Sequence, residues 1–447
     1  MKRLILQTLY VNVAIVVVGL VNSVLLSRAL GPAGRGEIAA ALLWPTMAVY
    51  LSSMGIISSS TYFSAVPNAR PATVFSAAAL MSIAQAIPAI LVGYLLVPSL
   101  LSSQTPEVVH AARLFLVVIP IALVAQNGMG ILQGTLRFRE FNLVRLITPA
   151  GYLLGTVVLL GVHHLTLLSI VWMHLSLAFA TLIVTGVALF RAGVRFFDRP
   201  PRGLSREMAI YGAKVHVGNV GALANQSLDQ MIMAAWFPPM TLGLYVVAVS
   251  AAGISQSLSQ AVRTIVTPSI TQQAALVEQR SMLSRVFKQY ALLALIGTPL
   301  LSCAIFFGIP IVFGHSFSGA VWPAEILLVS GLFLGAKEVL SGAAQAMKNP
   351  WLSSQAQIVG LVITVVTLYL FLPRYGIAGA AISTALASLT QFLVLLWGLH
   401  HSHQVSVASL LRFNRNDLKQ TIAMVRRHSG LARAAAGPVG EQRTILD

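Results

Sequence analysis

The sequence predicts an all-α integral membrane protein of about 12 transmembrane helices, arranged as two six-helix lobes around a central cationic cavity. Three observations lead there. Of 447 residues, 57% are hydrophobic and only 9% charged, against about 25% charged in soluble domains. Mean hydropathy is +0.82, and the apolar residues fall into runs of roughly 20 or more, the length that crosses a bilayer. The basic residues sort by loop, as the positive-inside rule requires of a multi-pass protein.

The first run, from Leu4 to Leu26, follows Lys2 and Arg3. It exceeds the 7 to 15 residue core of a signal peptide, so it reads as a retained span. Candidate spans are 4–29, 37–63, 73–98, 110–134, 143–162, 166–190, 208–236, 241–266, 286–314, 322–346, 351–372 and 376–399. Prolines at 45, 88, 120, 149, 268, 299 and 310 interrupt them, and are expected to kink helices and free carbonyls for other partners.

An even number of spans puts both termini on one side. The termini and even-numbered loops hold 22 of the 29 Lys and Arg, the odd-numbered loops only Arg28, Arg35, Arg113 and Arg374. Both termini are therefore expected in the cytoplasm. The net charge of +17 is explained by this topology, and no nucleic-acid partner is expected. The single cysteine, Cys303, excludes an internal disulfide framework and reads as a packing residue.

Four regions follow: an N-terminal lobe over 1–190, a basic linker over 191–207 suited to anionic headgroups, a C-terminal lobe over 208–400, and a basic tail over 401–447. In the tail, Leu411, Leu418, Ile422 and Val425 share one face of an expected interfacial helix, with disorder expected from Ser429. The halves carry a weak repeat. Gly36 aligns with Gly243 at an offset of 207, and Gly130 and Gln133 align with Gly342 and Gln345 at 212. Two similar bundles facing each other are the expected result, with a site between them.

Ionisable residues inside spans cost roughly 2.5 to 3.5 kcal/mol each and ordinarily face water or a polar partner. The segment Gly212 to Tyr245 carries Lys214, Gly218, Gly221, Asn225 and Asp229 at positions that share one helical face. Arg28 and Arg263 lie near the ends of their spans. Lys337 and Glu338 sit deep, roughly 22 Å of helix from Pro323. Because neighbours diverge by 100°, these two are expected to point apart, at least one toward another helix or water. The matching place in the first half carries Gln126 and Asn127. An interior excess of cations favours an anionic ligand.

Nucleotide-binding GxxxxGK[ST] and zinc-binding HExxH motifs are lacking. His163 and His164 read as solvated loop residues, and no metal or organic cofactor is expected.

The stretches LSRALGPAGRGEIAAALLWP (26–45), ILQGTLRFREFN (131–142), GNVGALANQSLDQMIM followed by LGLYVVA, and YGIAGAAIST (375–384) resemble the oligosaccharide (polysaccharide export) flippases. These belong to the superfamily that also holds lipid II flippases and MATE multidrug exporters, and the resemblance runs to about residue 400. It implies alternating access and movement of a polyprenyl-diphosphate-linked oligosaccharide to the outer leaflet of a bacterial cytoplasmic (inner) membrane, with Arg28, Lys214, Arg263 and Lys337 neutralising the diphosphate.

Asp229 and Glu338 would serve as coupling or gating acids, for H+ or Na+ or under the membrane potential, and Asn225, Gln126 and Asn127 as polar cavity residues. Such flippases often place an arginine two residues before the acid of span seven. Here that residue is Ser227, leaving Arg28 or water to face Asp229. Membrane lipids, glycosyltransferases and a polymerase would be the partners. Three other readings stand beside this one: a cation-coupled drug exporter, which needs acids to dominate the cavity; a glycan polymerase or ligase, which needs a sizeable outer loop; and an envelope-assembly scaffold.

Overall fold

The structure, a computed structural model, describes residues 2–414 apart from 68, 195–197, 272 and 274. Its account of 2–9, 217–226, 254, 256–269, 271 and 411 is confined to the backbone. The expected interfacial helix, the expected disorder and most of the tail lie outside the described residues.

Every regular element among the described residues is helical, and eight stretches are long and apolar enough to cross a membrane. In order, the helices are α1 (Lys2–Ser52), α2 (Ile56–Ala65), α3 (Pro71–Leu100), α4 (Pro106–Phe115), α5 (Val118–Gly134), α6 (Phe138–Gly161), α7 (Leu167–Arg191) and α8 (Leu204–Trp236). There follow α9 (Pro239–Thr271), α10 (Leu276–Gly308), α11 (Val321–Ala346), α12 (Pro350–His403) and α13 (Val407–Leu411). Between α10 and α11 lie a π turn over 309–313 and a 3-10 segment over 315–320.

Two helices are too long for one crossing. At 1.5 Å per residue, the 51 residues of α1 and the 54 of α12 would reach about 75 to 80 Å, against a hydrocarbon core of about 30 Å. Each breaks at one glycine, Gly31 (φ 65°, ψ −175°) and Gly376 (φ 54°, ψ −133°), a backbone conformation that side chains with a Cβ resist. The sharp breaks in α1 and α12 therefore lie at glycine, whereas Pro45, Pro88, Pro149 and Pro299 sit within continuous helices. Splitting at Gly31 and Gly376 and adding the long helices α8 and α9 is how a count of twelve would be reached.

Two expected spans are each two helices. The second stops at Ser52 and restarts at Ile56 after Met54 and Gly55, both at positive φ. The fourth divides into α4 and α5, with Thr105 capping α4 through the Val108 amide.

Outward faces carry large apolar side chains, such as Leu80, Ile87, Leu91 and Leu95 on α3 and Leu295, Leu300 and Phe307 on α10. Buried positions hold both large side chains, such as Tyr245, Phe317, Leu26 and Ile38, and small ones, of which Ala40, Ala41, Ala77, Ala78, Ala111, Ala112, Ala343 and Ala344 are all fully enclosed. Large apolar groups on the outside suit helices whose solvent is lipid, and the small residues inside let backbones approach. Cys303 follows the outer pattern. It is exposed beside Phe306, Phe307 and Trp322 on the flank of α10, a correction to its reading as a packing residue.

The two halves meet most intimately where α1 passes α9. A Cβ built on Gly36 would lie 2.5 Å from the Pro239 carbonyl carbon and 2.9 Å from the Gly243 nitrogen. One built on Gly243 would lie 2.9 Å from both the Pro32 carbonyl carbon and the Gly36 nitrogen. Residue pairs 32/239 and 36/243 both differ by 207, the repeat offset. The contact is thus reciprocal, as in a two-fold self-complementary interface, and only glycine lets the backbones come so close.

Candidate functional site

Around this crossing the first half reaches polar groups into the second. Arg28, near the break in α1, donates through Nε to the Val312 carbonyl at 2.7 Å and through Nη2 to the Ile311 carbonyl. Those carbonyls lie in the π turn ending α10, where the missing α-helical ladder and the helix dipole both favour a cation. Gln104, between α3 and α4, donates to the Ala234 and Phe237 carbonyls at 2.8 Å, and Ser103 to Ala235 at 2.8 Å. These cap the end of α8. By the topology expected from the loops, the whole group lies at the outer end of the bundle.

Asp229 sits two turns inside this end and is buried. Its Oδ2 accepts from the Tyr245 hydroxyl of α9 and from Thr384 of α12 at 3.2 Å, while Oδ1 accepts from the Gln230 amide at 2.7 Å. The carboxylate therefore ties three helices of the second half together. No ion pair to it exists among the described residues. Arg28, one of the two candidates beside water to face Asp229, is engaged with the end of α10 instead, and a phenol and a hydroxyl face the carboxylate. Hydroxyl donors satisfy a buried carboxylate without cancelling its charge.

Lys337 and Glu338 correct the geometric expectation. Both are 5% exposed, and Lys337 Nζ lies 3.0 Å from Glu338 Oε1. Their Cβ directions diverge, but the flexible stems of adjacent residues curl back and meet. Lys337 is thus a paired cation inside α11, not one standing free in a water-filled space.

Asn127 is likewise a clamp: it accepts from Ser60 at 3.0 Å and donates to Ser82 at 2.7 Å, joining α5 to α2 and α3 within the first half. Gln126 is half-buried beside it. Lys214 is exposed near the start of α8, two residues beyond Gly212. Gly212 packs against Met54 and Gly55, and Ser59 donates to the Met208 carbonyl at 2.7 Å, so α2 and α8 form a second contact between halves, at the end expected from the loops to face inward. The side chains of Asn225 and Arg263 lie outside the described residues. No hydrogen bond or ion pair among the described residues joins any two of Arg28, Lys214 and Lys337.

Sequence reasoning passed over one cluster. Arg35, counted with the outer loop, follows the break at Gly31 and opens the next helical stretch, with Nε buried and unbonded among the described residues. It lies within electrostatic reach of Tyr152 on α6 and His174 on α7, and His174 packs edge-on against Tyr152 at 4.1 Å between ring centroids. Asn22, 3% exposed, approaches Tyr152. A flat hydropathy trace hides this because Arg35 stands only seven residues from Arg28. A separate apolar groove of about 470 Å³ runs between α1, α3 and the start of α8, from His216 and Met54 to Leu100 and Leu116.

A family model described as "Polysaccharide biosynthesis protein" matches residues 25–322. Among curated proteins, the chain is 23% identical over 305 residues to one from Haloferax volcanii named "Probable low-salt glycan biosynthesis flippase Agl15", a match covering 66% of this chain and 61% of that relative. Among solved structures, an inward-facing multidrug resistance MATE transporter of the MOP superfamily superposes with a TM-score of 0.72 at 14% identity, over 89% of this chain and 99% of that one. The lipid II flippase MurJ, inward closed, superposes with a TM-score of 0.71 at 14% identity, over 96% and 93%. The fold is therefore that of MATE and MurJ transporters.

Proposed function

This chain belongs to the polysaccharide biosynthesis protein family, and we propose that it carries a lipid-linked oligosaccharide from one leaflet to the other by alternating access. It acts as a transporter rather than an enzyme. The observation that carries the mechanism is the reciprocal contact of Gly36 and Gly243 across the two halves. A self-complementary seal between like bundles can be broken and remade as a unit, exposing the space between them to one side at a time.

The work needed is clear from physics. Sugars and phosphates cannot enter hydrocarbon without a large loss of hydration, whereas a polyprenyl tail never has to leave it. The apolar groove along α1 and α3 gives the tail a path beside the moving halves. Lys214 supplies positive charge near the inner entrance, and Arg28 at the outer end. Asp229, held by hydroxyls rather than by a cation, is the candidate coupling acid, open to H+ or Na+. The chain would lie in a cytoplasmic membrane with both termini inside, receiving its substrate from glycosyltransferases and passing it to a polymerase or transferase.

Complementation tests this reading. In a strain lacking its lipid-linked oligosaccharide flippase, the wild type restores surface glycan and Lys214→Glu does not, at equal membrane insertion. Full activity of Lys214→Glu would remove the cationic entrance from the account, and failure of the wild type with a matched substrate would remove the transport role.

A further inference from the structure

The inner end of the second half holds a second polar site, away from the crossing and from Asp229. The first turns of α10, the end of α12 and the short helix α13 enclose a pocket of about 540 Å³ lined by Arg280, Ser281, Ser284, Arg285, Lys288, Gln404, Ser406 and Ser409. Three cations and four hydroxyls face one space, and none of the lining residues is an acid. On α10 the spacing 280, 281, 284, 285, 288 is that of one helical face, and the nearest acid on that helix, Glu278, is exposed and outside the wall.

Two details distinguish the pocket from a row of solvated surface cations. Ser284 donates to the Ser409 carbonyl at 2.7 Å, so α13 is pinned over the face of α10. Arg280 Nε is buried with no hydrogen-bond partner among the described residues. That nitrogen is enclosed by the protein, which fixes the side chain, while the Arg280 residue itself lines the pocket beside Arg285 and Lys288. Planar guanidinium groups match phosphate oxygens best, with hydroxyls completing the shell.

The position sets the source of that acceptor. By the loop charges, the start of α10 and the end of α12 lie at the cytoplasmic interface, where phosphodiester headgroups line the membrane and basic pockets between helices hold them. We propose that this pocket binds the phosphate of an anionic phospholipid headgroup from the cytoplasmic leaflet, a site separate from the transport path. Bound there, the headgroup joins α10, α12 and α13 through ionic contacts and holds the last helix of the bundle to its neighbour.

The test uses the full-length protein by native mass spectrometry, with phosphatidylglycerol, phosphatidylcholine and inorganic phosphate as separate probes. The wild type should retain one phosphatidylglycerol in preference to phosphatidylcholine. Each charge removed should weaken retention about fivefold, so Lys288→Gln shows a partial loss and Arg280→Gln/Arg285→Gln/Lys288→Gln a loss of about a hundredfold. Arg137→Gln/Arg139→Gln/Arg191→Gln, with equal loss of charge elsewhere, should retain the lipid. Inorganic phosphate displacing the lipid at millimolar concentration would assign the site to free phosphate while keeping its chemistry. Equal retention by the wild type and the triple variant, or equal loss in the matched control, overturns the proposal. Size-exclusion profiles confirm that each variant is folded, and Lys288→Gln keeps the test decisive should the triple variant aggregate.

Discussion

Replacing Gly36 with alanine probes the seal directly. The new methyl would overlap the Pro239 carbonyl oxygen and stand 2.5 Å from its carbon, about 0.9 Å short of the 3.4 Å at which ordinary contact begins, and 2.9 Å from the Gly243 nitrogen. All three obstacles are backbone, so no side chain can turn aside. Either the halves part here by more than about an ångström or the helices distort, at no less than the roughly 1 to 3 kcal/mol typical of overpacking. If the outer-open form lacks this contact, the same energy raises its population about 5-fold to 150-fold.

The assay is labelling of Ser23→Cys by a membrane-impermeant maleimide from outside, with the exposed Cys303 changed to serine. Ser23 is 6% exposed and lies 3.5 Å from Ser250 across the halves, so it is shielded while they are closed. Gly36→Ala should raise the labelling rate within that range, and Gly243→Ala should do the same, because each glycine meets the other's neighbour. Gly19→Ala, on the same helix with nothing within 4 Å, should not. Unchanged labelling in folded Gly36→Ala and Gly243→Ala protein would refute the gate.

Further substitutions bear on the site. Tyr245→Phe removes a hydroxyl from buried Asp229 and should cost about 1 to 3 kcal/mol of stability, read as a lower midpoint in thermal unfolding; Asp229→Asn should keep the fold and abolish transport. Lys337→Leu leaves the buried Glu338 without its lysine and should cost about 3 to 5 kcal/mol, much of it recovered in Lys337→Leu/Glu338→Leu, measured as a double-mutant cycle in urea. Arg28→Gln uncaps the Ile311 and Val312 carbonyls and should speed proteolytic cleavage between α10 and α11, whereas an unchanged digestion pattern would show that the cap carries no weight.

The helical class was legible because hydropathy reports lipid exposure residue by residue, and the internal repeat was legible through Gly36 and Gly243, whose close contact forbids anything larger. What sequence spacing conveyed poorly was side-chain reach. Lys337 and Glu338 diverge by 100° on paper yet meet in space, since four- and three-carbon stems are longer than the arc between them. Asp229 found Tyr245, 16 residues away across a turn, and Thr384 from the far end of the chain, contacts that no local pattern encodes. Arg35 was assigned to a loop because the turn at Gly31 is a single residue, where a loop of several was anticipated. Asn127 matched the position of the charged pair but not its role, for the first half fills that level with an amide between two serines.

The claim beneath all of this is that a glycan headgroup crosses only when the two halves separate. In proteoliposomes loaded with a lipid-linked oligosaccharide, headgroups reaching the outer leaflet can be counted with a membrane-impermeant glycosidase. The Ser23→Cys/Ser250→Cys protein in the Cys303→Ser background should translocate when reduced, stop when the bridge is oxidised, and resume on reduction. Translocation that continues at full rate through the oxidised bridge, or none at all from the reduced protein, would contradict the account.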